Sequence, residues 1–270
     1  MSHTISNGPI KILWQKLLLP DLSSSPQALE DSVFNDIVPN VRRISAENNE
    51  IVVPDPKAFR SMSRASLILS SWAEEIKPII APFLEQSPFT VGIYCAVENG
   101  PIDGPSTAEI LKRSSENFDL VFAEAYRKLR NPKMYLKQLP NLVPAQLGIS
   151  LGVQGPMNVY THSVHGSQQA LMQAKIDLLN NSVDAALVVS AHAFDDFWVV
   201  KRSRQQDQRT LCEGAAGIIF ALDQNNSEKS NKNYLEDMKK SSNQEFLYDA
   251  QNYFGISDSI INLIRNGKVK

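Results

Sequence analysis

Residues 154–193 read QGPMNVYTHSVHGSQQALMQAKIDLLNNSVDAALVVSAHA, and this stretch decides the fold. Gly155 and Pro156 open it. Asn158 to Ser163 reads as a strand, Gly166 to Leu179 as a helix, and Val183 to Ser190 as a second strand, with Asn180 to Ser182 stopping the helix. A strand, a sharp turn and a helix start are how many enzymes present a nucleophile. At that turn stand Thr161, His162 and Ser163, with Gly166 following, and Ser163 offers a hydroxyl there.

Outward from this core, the pattern continues as alternating strands and helices. Ile10 to Leu19 reads as a first strand, and Phe59 to Phe83 has helical periodicity with Met62, Ala65, Leu69 and Trp72 on one side. Val91 to Val97 is an apolar run without helical period, bounded by Pro88 and by Gly100 and Pro101, as expected of a buried strand. Ser106 to Leu129 reads as one helix, with Ser106 and Thr107 offering caps. A Pro-punctuated connector, Asn131 to Pro144, leads to Ala145 to Leu151, and Gly214 to Leu222 is a further apolar strand. The expected class is α/β with a largely internal sheet. Residues 1–223 read as one domain, 224–244 as a polar linker unable to bury enough surface to order itself, and 245–270 as a short helical tail in which Phe254 to Arg265 forms an amphipathic helix.

Composition excludes several function classes. In 270 residues, 27 Lys and Arg oppose 29 Asp and Glu, so there is no basic field for nucleic acid. The two cysteines, Cys95 and Cys212, match no metal or redox spacing and read as buried small residues in a reducing compartment. Lys11, Gln15 and Lys16 interrupt the apolar N-terminal run, and no stretch approaches the roughly 20 residues of a membrane span. A cytoplasmic protein is expected.

Four patches, in order and at compatible spacing, resemble the β-ketoacyl synthases of fatty-acid and polyketide assembly. They are FRSMSRASL at Phe59–Leu67, NPKMYLKQLPNLVPAQLGISL at Asn131–Leu151, the segment from Gly155 to Ser190, and LCEGAAGIIFAL at Leu211–Leu222. Together they cover about residues 10 to 223. The resemblance implies a thiolase-like fold, truncated to roughly the N-terminal half of a ketosynthase, because only 48 residues follow Leu222. A last fragment, YFGISDSIINLIR at Tyr253–Arg265, resembles the Gly-His helix start of the second half, with Ile256 where the family has histidine.

The family's chemistry needs a cysteine thiolate favoured by a helix N-terminus and two histidines from the second half. Here Ser163 stands at the cysteine position, and His3, His162, His165 and His192 all lie outside any segment resembling the second half. The resemblance therefore implies a degenerate nucleophile and no cofactor. A serine hydrolase using Ser163 with His162 or His165 is the rival reading, although a G-x-S-x-G elbow would need glycines where Thr161 and His165 stand. A malonyl-thioester decarboxylase is a variant of it. Asp195 and Asp196 offer an orienting carboxylate, but no ligand spacing supports a metal at His162, His165 and Asp195.

By the resemblance, a half-length chain without the catalytic groups is similar to chain-length factors, and by its size to that of bacterial aryl polyene synthesis. This implies a heterodimer with a full-length ketosynthase, served by an acyl carrier protein, in aryl polyene, polyketide or fatty-acid-type biosynthesis. The side chains expected at the tunnel or interface are Met134, Tyr135, Gln138 and Leu139 in the connector, Asn141 at the next helix, and His162. A purely structural scaffold for a ketosynthase is the third reading.

Overall fold

The computed structural model describes residues 10–31, 36–45, 61–114, 118–161, 165–194, 197–222 and 249–266. At its centre lie two strands buried along their whole length, Val91–Val97 (β4) and Ala185–His192 (β6), paired in parallel with Val91 opposite Ala185 and Val97 opposite Ala191. Strands covered on both faces need apolar residues at nearly every position, which is how VGIYCAV and AALVVSAH read. Gly214–Leu222 (β8) runs antiparallel to β6, Ile10–Leu18 (β1) antiparallel to β8, and Met157–Tyr160 (β5) parallel to β4. The order is β1-β8-β6-β4-β5, with β5 at an edge.

Helices cover both faces. Arg64–Ser70 (α1), Ala73–Leu84 (α2) and Leu142–Leu151 (α6) bury Ile68, Trp72, Ile76 and Leu147 on one side. Gly166–Leu179 (α7) lies on the other, turning Gly166, Ser167, Ala170 and Ala174 inward, and these small residues let it approach the sheet closely. A second sheet contains Gln27–Asp31 (β2), Asp36–Arg42 (β3), Thr210–Cys212 (β7) and Asn252–Tyr253 (β9). Phe197–Gln206 (α8) packs on it through Val200, beside Val38, Val41 and Leu211.

Several elements differ from the sequence expectation. The helix expected over 59–83 is α1 and α2, with 59–60 outside the described residues; Ser63 caps α1 by accepting from the Ser66 N–H, and at the break Trp72 is buried edge-on against Trp14. The helix expected from Ser106 to Leu129 is Gly104–Ser114 (α3) and Phe118–Leu129 (α4). Its first turn is met by Asp103, whose carboxylate accepts from the Ser106 N–H at 3.2 Å. The connector contains a helix of its own, Pro132–Gln138 (α5), capped by Asn131, and α6 begins at Leu142 with Pro144 in its first turn, where a missing N–H costs nothing.

The polar stretch 224–244 lies outside the described residues. The segment after it is more than a tail. β9 pairs parallel to β7, a 3₁₀ turn follows at Gly255–Ser257, and the C-terminal helix spans Asp258–Arg265. Residues 252–261 are all buried, with Phe254, Ile256, Ile260 and Ile261 in the same core as α7 and β8. Among the described residues no helix is long and apolar enough to cross a membrane.

Candidate functional site

β4, β5 and β6 are parallel, so their carboxyl ends share one side, where α7 begins. His162 and Ser163, the residues between β5 and α7, lie outside the described residues, as do Asp195 and Asp196. The hydrolase and metal readings on those residues therefore have no described geometry. His165 is exposed at the N-cap of α7, makes no side-chain cap bond, and accepts the Gln169 N–H on its backbone carbonyl at 2.9 Å.

What faces the start of α7 is apolar. Ile256 is 1% exposed, and a Cβ at Gly166 would fall 2.7 Å from its Cγ1 and Cδ1. An aliphatic side chain there can neither move a proton nor bind developing charge. Beside it, Ser190 Oγ donates to the Ala96 carbonyl at 2.8 Å and lies 2.7 Å from Ser257 Oγ. His192 closes the end of β6 and is fully buried, its ring edge-on to Phe194 and its Nε2 3.5 Å from Ser203 Oγ. Burial pushes its pKa down to about 4, so the ring is neutral and packed. The thiols are equally quiet: burial raises Cys95 well above the ordinary thiol value and Cys212 to about 11.

A second feature lies on the excursion formed by α3, α4 and α5. A cavity of about 180 Å³ opens between these helices, and Met134, Tyr135 and Gln138 line it with Ile110, Phe122, Tyr126 and Arg130. The Tyr126 and Tyr135 hydroxyls meet at 2.5 Å, which lowers the phenol pKa of Tyr126 and raises that of Tyr135, and the Arg130 guanidinium lies 5.6 Å from the Tyr126 ring centre. Leu139 and Asn141 do not line it. Leu139 is the exposed C-cap of α5, and Asn141 is the exposed residue before α6. Phe122, Tyr126 and Arg130 were not among the expected site residues, although the four-residue spacing of Phe122 and Tyr126 on one face of α4, with Arg130 just past its end, carried the signal.

The third feature is the free side of β5. Among the described residues its one neighbour in the sheet is β4, and Met157 is 37% exposed. α6 lies against it, since a Cβ at Gly148 would meet the Met157 side chain, and the next residue, Ile149, is 76% exposed. An uncovered strand edge flanked by exposed apolar side chains is a template for pairing with another chain.

No protein-family model matches the chain, and no curated protein matches it. Solved structures do. A β-ketoacyl synthase from Burkholderia phymatum STM815 superposes with a TM-score of 0.57 at 11% identity, over 81% of this chain and 60% of that one. A type II polyketide acyl-carrier protein in complex with its ketosynthase gives 0.56 at 14%, over 80% and 63%. A ketosynthase in complex with its chain length factor from Xenorhabdus doucetiae gives 0.55 at 12%, over 80% and 58%. The chain thus spans about 60% of the length of the structures it matches. Two sheets, a small-residue helix start behind the edge strand, and this superposition together give the chain the thiolase-type fold of the β-ketoacyl synthases.

Proposed function

We propose that the chain is a non-catalytic, chain-length-factor-like subunit that pairs with a full-length ketosynthase and helps to shape the tunnel for the growing acyl chain. The observation that carries this reading is the gathering of Met134, Tyr135 and Gln138 around one cavity on a helical excursion, in a molecule whose sheet, among the described residues, also has an edge at β5 that no strand covers. The likeness to a ketosynthase held with its chain length factor supports the same reading. The mechanism is steric. Side chains of α5 reach the partner's tunnel and stop elongation where a further unit no longer fits, since forcing extra atoms into a filled pocket costs about 1–3 kcal/mol. An acyl carrier protein delivers intermediates to the active partner, and the pathway is of the aryl polyene, polyketide or fatty-acid type. The apolar closure of the α7 start by Ile256 fits a subunit that performs no condensation itself.

Co-expression with a candidate ketosynthase tests the proposal. Tyr135→Ala removes a phenol from the cavity and should lengthen the products by at least one extension unit while the complex persists, read by mass spectrometry of the released chains. Ser163→Ala should leave the products unchanged. A complex that forms normally but keeps its product length through Tyr135→Ala and Met134→Ala would reduce the chain to a scaffold. Turnover of an acyl thioester by the purified chain, lost on Ser163→Ala, would replace the proposal with a hydrolase.

A further inference from the structure

The cavity between α3, α4 and α5 has the make-up of a small-molecule site, apolar walls with a few placed polar groups. Its volume of about 180 Å³ slightly exceeds the roughly 150 Å³ of an engineered apolar cavity that takes up benzene, so it holds one six-membered ring and a small substituent. Two rings of α4 line it side by side, since Phe122 and Tyr126 are nearly parallel at 17° with centres 6.0 Å apart. Ile110 of α3 and Met134 of α5 add aliphatic and thioether surface that packs well against an aromatic ring. Leu111 and Tyr135, also in the lining, are 53% and 42% exposed, so the rim reaches solvent and a ligand has a way in.

The polar groups of the lining favour an anion. The Tyr126 and Tyr135 hydroxyls share one hydrogen bond, which uses one of their two protons and leaves one O–H to donate to a further acceptor. The Arg130 guanidinium, 5.6 Å from the Tyr126 ring centre, brings a fixed positive charge to the same wall. The carboxylate in the lining, Asp103, is engaged at the start of α3, where it accepts the Ser106 N–H at 3.2 Å and its charge is set against the positive end of that helix. We infer that this cavity binds a small monocyclic aromatic carboxylate, with its ring beside Phe122 and Met134 and its carboxylate toward Arg130 and the tyrosine hydroxyls. A carboxylate accepts on both oxygens, and hydrogen bonds from a guanidinium to it are among the strong ones. All the lining lies within one chain, so the inference holds whether or not the chain pairs with a ketosynthase.

Benzoate is the probe, with benzyl alcohol as the control for charge and hexanoate as the control for the ring. In calorimetric titrations of the full-length chain, benzoate should bind at least tenfold more tightly than either control, with amide NMR shifts at Ile110 and Tyr126. Arg130→Gln should weaken benzoate at least tenfold and leave benzyl alcohol unchanged. Thr107 lines the cavity from an exposed position on α3, so Thr107→Phe should fill the space and abolish benzoate binding while the circular dichroism stays native. Absence of benzoate binding to the native chain, NMR shifts confined to another region, or equal affinity for benzoate and either control would overturn the inference. A chain that binds benzoate in this way yet forms no complex with a ketosynthase would uphold the site and remove the proposed pairing.

Discussion

Replacing Glu213 with alanine is expected to destabilise the protein by about 3–5 kcal/mol, the usual cost of removing one partner from a buried ion pair. Glu213 is fully buried, and both of its carboxylate oxygens are used. Oε1 accepts from Arg64 Nε at 2.8 Å and from the Phe194 N–H at 2.8 Å, while Oε2 accepts from the Ile44 N–H at 2.7 Å and from Arg64 Nη2 at 2.9 Å. One side chain therefore ties together the loop after β3, the start of α1, the end of β6 and the start of β8. Alanine leaves the Arg64 guanidinium, only 19% exposed, without its carboxylate, and leaves two backbone N–H groups unpaired. Glu213→Gln retains an acceptor and should cost less. Urea denaturation of the two variants checks the ordering, and a loss below about 1 kcal/mol for alanine would mean that the fold does not depend on this junction.

The second large effect is a loss of stability in acid caused by His192. An unfolded histidine takes up a proton near pH 6.5, whereas the buried ring resists until about pH 4. Its folded pKa is depressed, so its contribution is fully present above about pH 6.5 and is lost as pH falls from there to 4. The amount is on the order of 3 kcal/mol, from about 1.4 kcal/mol per pH unit. His192→Asn removes the titration, so the gap between native and variant stability should change by this amount across the window. Asp249 acts lower down. Although burial raises its pKa, bonds from the Gln251 N–H and Arg265 bring it down to about 2, so its contribution is lost only as pH falls below the ordinary carboxylate value of about 4. A native-minus-variant difference that is flat from pH 7 to 4 would show His192 to be solvated or paired.

How much was legible in the sequence follows from how local each signal is. β4, β6 and β8 are doubly covered and therefore continuously apolar, and α7 carries its small residues at helical spacing, so all four stand out in single windows. The second sheet does not. β7 and β9 have three and two residues and become strands only by pairing with segments far away in sequence, such as Thr210 with Asn252. At the break between α1 and α2, Trp72 meets Trp14 from another element, a contact no single window shows. In the site, Met134, Tyr135 and Gln138 follow one another on a short helix and were found together, whereas Tyr126 and Arg130 join them only through the packing of α4. The C-terminal segment shows in its sequence one amphipathic helix, while its burial comes from residues far earlier in the chain, such as Ser190 and Phe220.

The most direct test of the account is to co-express the chain with a full-length ketosynthase that retains its cysteine, purify through a tag on this chain, and weigh the complex in its native state. A one-to-one complex is predicted, lost on Met157→Lys at the open β5 edge while the variant chain stays folded. A chain that purifies alone as a stable monomer, or a complex indifferent to Met157→Lys, would contradict it.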